Sequence, residues 1–185
     1  LKKFKLEYDN PLLIENEKNL IKNDLNYAYS RIKHKREFDD ELDGFAFDEV
    51  IKKGSEEQIK SLKLPKNASQ SLELIKRFEK DSLKLDASEY ESLVSMVNFD
   101  EKAYLEIAKL SIKKLDPDAL IGIFKRLKNT QIEALRAYLF ILAEFALFDE
   151  LKLEIGNDKK NFNDFKLVLL AREKNIKIDL YNLIQ

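Results

Sequence analysis

The chain of 185 residues has no cysteine, no tryptophan and a single histidine. Without cysteine there can be no disulfide scaffold, no thiolate zinc site and no thiol nucleophile. A histidine-based metal site lacks its second ligand. General-base work by His34 would need an orienting acid and a nucleophile that the sequence does not indicate. His34 reads as an exposed residue on a charged helix, among Arg31, Lys33, Lys35 and Arg36 in the run RIKHKR. Glycine and proline are scarce, at four and three. An all-β architecture needs many more tight turns than these supply. The glycines, at 44, 54, 122 and 156, are too dispersed for a phosphate-cradling loop, and no serine lies in a nucleophile elbow.

Excess charge of either sign is also missing. Lys and Arg number 33 against 34 Asp and Glu, for a net charge of −1, whereas a nucleic-acid binder carries a basic excess. On a helix, Arg31, Lys33 and Arg36 point in different directions and make a poor stripe, and the acidic block that follows would repel a polyanion. No nucleic acid is therefore expected as a partner. No long apolar run occurs either. The most apolar stretch, ALRAYLFILAEFALF at 134–148, contains Arg136 and Glu144 and is shorter than the ~20 residues of a spanning helix. It is expected to be a helix buried on most sides, so the chain shows no transmembrane segment.

What the sequence does contain is helical punctuation. Hydrophobic residues make up 44% and charged residues 36%, which suits a packed core under solvated, ion-paired helix faces. Asn10-Pro11 opens a first helix running towards Phe38, with Ile14, Ile21, Leu25, Ala28 and Ile32 on one face. A short helix is expected over 48–53, stopped by Gly54. The capping boxes SEEQ at 55–58 and DASE at 86–89 open two more, the first closed by Pro65. A helix carrying Leu72, Ile75 and Phe78 lies between them, and Tyr90, Leu93, Val94 and Val97 follow the second box. Asp100 and Asp116-Pro117 begin further helices, Thr130 is expected to cap the long apolar one, and after the polar connector at 156–164 a helix runs to Glu173. LKLEI at 151–155 and IKIDL at 176–180 alternate with period two, but a lone strand pair is marginal and helix is preferred. The expected fold is all-α: antiparallel helical hairpins forming a bundle or short α-solenoid of about seven to nine helices. The KKLDPDA stretch resembles the end of a tetratricopeptide repeat. The upstream small-large-small positions hold Leu105, Lys109 and Ile112, so the pattern fails and no family is identified.

One stretch invites a metal. DDELDGFAFDEV, residues 39–50, has Asp39, Glu41 and Asp43 at alternate positions followed by Gly44, the opening of a calcium loop. Its twelfth position, where a bidentate acid belongs, is Val50. The preferred reading is an acidic connector over 37–49, with Asp43, Asp48 and Glu49 serving the start of the next helix and Phe38, Phe45 and Phe47 pinning it to the core. Lys33–Glu37, Lys35–Asp39 and Arg36–Asp40 are potential i,i+4 pairs.

The expected organisation is an N-terminal helical segment, 1–85, and a C-terminal helical-hairpin core, 86–185, in one continuous domain. The chain opens on Leu1 rather than methionine, as expected of a fragment of a longer protein. LKKFK would then flank a lost membrane anchor, with Lys2, Lys3 and Lys5 on the cytoplasmic side. The expected compartment is cytoplasmic, and an exported setting is the alternative. The expected function is a non-catalytic protein–protein interaction or assembly module with no cofactor. It would bury a partner's apolar segment in a groove around Tyr104, Phe124 and Tyr138. Two alternatives stand beside it: a divalent-metal-regulated module using the 39–49 loop, and a helical enzyme without a recognisable motif.

Overall fold

The computed structural model describes residues 11–62, 67–95, 98–157 and 162–184, and every regular element among them is a helix. The fold class is all-α. Twelve helices occur among the described residues, more than expected. The surplus comes from a break in the first helix, from a separate helix that contains LKLEI and from a short helix that begins at Leu180. The cap at Asn10, the stop at Pro65 and Val97 lie outside the described residues. The chain divides into two compact units, up to Lys84 and from Leu85.

The N-terminal unit contains α1 (Pro11–Asn23), α2 (Leu25–Ile32), α3 (Glu41–Lys53), α4 (Glu56–Ser61) and α5 (Ala68–Glu79). The predicted first helix breaks at Asp24. Its backbone is extended and its carboxylate accepts the Tyr27 N–H at 3.0 Å, a capping geometry that competes with helix continuation. That helix ends at Ile32, not Phe38. Helix α3 is the centre of the unit and packs against α1, α2, α4 and α5. It buries Leu42, Ala46, Phe47, Val50 and Ile51, a face of steps three, four and one suited to a core helix. Phe47 anchors it, Phe38 leans edge-on against Phe47 at 5.5 Å between ring centroids, and Phe45 lies beneath Lys18. Ser55 and Gln58 form the reciprocal capping box of α4, and Asn67 and Gln70 form a second box for α5.

The C-terminal unit contains α6 (Ala87–Ser95), α7 (Glu101–Ser111), α8 (Pro117–Thr130), a 3-10 turn (Ile132–Ala134), α9 (Leu135–Glu144), α10 (Phe148–Asn157), α11 (Asn163–Glu173) and α12 (Leu180–Leu183). Its centre is α9, packed against α7, α8, α10, α11 and α12. Every residue of α9 is buried except Arg136 and Glu144, the two charges that interrupt the apolar run. Thr130 does not cap this helix. It is the last residue of α8, where its hydroxyl donates to the Leu127 carbonyl at 3.1 Å. The chain then passes through Gln131 and the 3-10 turn into α9. The caps at Asp86, Asp100 and Asp116 form as expected. LKLEI is inside α10, and residues 176–179 are irregular before α12. No described helix is long and apolar enough to cross a membrane.

Candidate functional site

The acidic stretch is the N-terminus of α3, not a connector. Asp40 is the N-cap, and its carboxylate accepts the Asp43 N–H at 2.9 Å. The Asp43 side chain is fully buried. It accepts from Arg31 Nε at 2.8 Å, from the Asp39 N–H at 2.9 Å and from Lys35 Nζ. Arg31 extends to Asp40 at 2.7 Å and to Glu17 at 3.2 Å, and the Tyr27 hydroxyl donates to Glu17. Glu41 pairs with Lys18 at 2.6 Å, and Lys35–Asp39 is the predicted i,i+4 pair that forms, at 2.9 Å. Burial pushes the Asp43 carboxyl up. The bonds from Lys35 and the Asp39 N–H, with the charges of Lys35 and Arg31, outweigh it and hold the group below the usual aspartate range.

This network engages the carboxylates of the calcium-like stretch. The carboxylates that should ring a cation are held by the chain's own cations, and Gly44 is helical rather than at a sharp turn. No group of three or more His, Cys, Asp or Glu among the described residues is placed to hold a metal ion. The sequence signal for the helix was present: Asp40 precedes Glu41 and Asp43, acids favoured in a first turn.

Tyr104 and Phe124 are 0% exposed and Tyr138 is 3% exposed. The three lie in the core of the C-terminal unit and present no surface. The Tyr104 hydroxyl donates to Gln131 Oε1, and its ring meets Phe99 edge-on at 5.3 Å. Lys128 Nζ sits 5.1 Å from the Tyr138 ring centroid.

The exposed apolar surface of this unit lies elsewhere. Helix α11 carries the run FKLVLLA and is apolar around most of its circumference. Phe165, Val168 and Ala171 face inward, while Leu167 is 51% and Leu170 49% exposed. Leu153 on α10 and Ile176 beyond α11 are also exposed. The Arg172 guanidinium lies 4.0 Å from the Phe148 ring centroid, joining the end of α11 to the start of α10. These two side chains line a groove of about 210 Å³ with Ala143, Val168, Ile176, Ile178 and Leu180. One wall of the groove is the C-terminal segment, which Lys109 holds by donating to the Tyr181 and Ile184 carbonyls at 3.1 and 2.6 Å. Lys166, Lys174 and Lys177 are exposed on α11 and the segment that follows it. The sequence signal for this face was the run 165–171, in which Lys166 is the one polar residue, a pattern that a buried helix shares.

No protein-family model matches the chain, and comparison with curated proteins and with solved structures returns no match.

Proposed function

We propose that this chain is a non-catalytic helical interaction module that takes the apolar face of a partner's amphipathic helix against the outer side of α11. The observation that carries this reading is the exposure of Leu167 and Leu170 on a helix whose inner side already fills the core. A solvated helix is ordinarily polar on that outer side. Helix-in-groove recognition uses anchors at i, i+3 and i+4. The adjoining groove supplies apolar walls, and Lys166, Arg172, Lys174 and Lys177 favour acidic flanks on the partner and would set its register. Work in the cytoplasm, or at the cytoplasmic side of a membrane, belongs to the same proposal.

The test is the paired substitution Leu167→Glu and Leu170→Glu. Both side chains are half exposed, so helicity and melting temperature should stay near those of the parent. Partners captured by the parent chain from its native extract should be lost by the variant. Capture of the same set by a folded variant would refute the assignment. Sedimentation of both proteins over a concentration series separates a foreign partner from self-association.

A further inference from the structure

The run RIKHKR divides its charges between two sides. Arg31 and Lys35 turn to the Asp43 network. Lys33, His34 and Arg36 turn away and line a hollow of about 350 Å³ with Tyr29 and Ser61. No side-chain hydrogen bond or ion pair engages these three among the described residues. The acids that would be expected to neutralise them are committed elsewhere. Asp39, Asp40 and Asp43 bind Lys35 and Arg31, Glu41 binds Lys18, Asp48 accepts from Gln70 and Glu49 pairs with Lys53. Of the seven acids in 37–49, only Glu37 is left, and it does not line the hollow. The opposite wall is fixed: Ser61 Oγ donates to the Gln58 carbonyl at 2.7 Å, which leaves the Tyr29 hydroxyl to donate to Ser61 at 2.8 Å.

We propose that this hollow binds the phosphoryl group of a small phosphomonoester. Its free polar groups are an ammonium, a guanidinium and an imidazole, with no carboxylate among the lining side chains. An arginine fork grips two oxygens of a tetrahedral oxyanion, and a lysine adds a point charge to a third. The volume exceeds what a bare phosphate fills, and the half-buried Tyr29 ring gives the carbon portion of an ester a face to rest on. Two cations and an imidazole converging on one hollow fit a compact dianion, whereas a polymer needs a stripe. This site belongs to the N-terminal unit and is independent of the α11 face.

His34 is the chain's single histidine, so its imidazole resonances report on the site without ambiguity. The full chain is titrated at constant pH and ionic strength with phenyl phosphate, inorganic phosphate and sodium chloride, following the His34 ring signals by NMR. The proposal expects a saturable shift with phenyl phosphate, a weaker one with inorganic phosphate and none that saturates with chloride. Lys33→Glu with Arg36→Glu should weaken phenyl phosphate binding by about tenfold or more, with far-UV circular dichroism unchanged because both side chains are exposed. Arg36→Ala alone, the milder variant, should weaken it in the same direction. Shifts that chloride reproduces, saturation by inorganic phosphate without any advantage for the ester, or unchanged affinity in the folded variants would each overturn the proposal.

Discussion

At Gly44 an added Cβ meets no atom within 4 Å, whereas at Gly54 it would lie 2.6 Å from the Val50 carbonyl oxygen and 2.9 Å from Val50 Cγ1. Gly44 is inside α3 and Gly54 is the residue after it. Helix propensity therefore decides at 44 and steric contact at 54. Gly44→Ala should stabilise the protein by about 0.5–1 kcal/mol, and Gly54→Ala should destabilise it, both read by urea denaturation. The first result also bears on the calcium-loop pattern, whose glycine would tolerate no such change. Asp43 carries the sharper pH signature. Its folded pKa is depressed, so its contribution is complete above the ordinary value of 3.8 and is lost as pH falls through the lower folded value. Asp43→Asn leaves Arg31 and Lys35 undercompensated at a buried position and should cost about 3 kcal/mol near neutral pH. Melting curves from neutral to strongly acidic pH should show the gap between parent and variant closing at the acid end.

Among the elements, helix starts were readable and several stops were not. Starts carry side-chain caps with a sequence signature, as at Ser55, Asp86, Asp100 and Asp116. Stops are usually marked by glycine in the left-handed region, but no described glycine has positive φ. Asp81, Ala146 and Asn175 take that conformation instead, at φ 59°, 57° and 54°. Each follows a helix end whose carbonyls are closed by the paired bonds of a Schellman motif, as in Ser82 N–H to Arg77 and Asp81 N–H to Phe78. Alanine has no side-chain polar group to ease this backbone, so Ala146→Gly should stabilise the C-terminal unit by about 1 kcal/mol, measured as a raised denaturation midpoint. The scarcity of glycine is thus why the end of α9 could not be located from the residues alone. The break at Asp24 has a different origin: an exposed aspartate beside the apolar face caps the helix that follows.

For the whole molecule, each unit has its own central helix, α3 or α9, with a buried apolar set around it. Residues 1–84 and 85–185, produced separately, should each be helical and melt cooperatively. Asp43→Asn should then lower the melting of the first piece alone, and Ala146→Gly should raise that of the second alone. A piece that shows no cooperative transition would mean its core is incomplete without the rest of the chain.

The residues by themselves determined the class of structure and most helix origins. Apolar periodicity and N-terminal caps act over a few neighbouring positions, so they can be read along the chain. Only tertiary packing decided which apolar residues stayed outside. Tyr104, Phe124 and Tyr138 and the exposed Leu167 and Leu170 look alike in sequence, and their burial depends on which helices lie against them. The acidic stretch has the same lesson in charge. Whether Asp43 faces a metal, water or Arg31 is set by α2 returning against α3, an interaction between segments that no local pattern encodes.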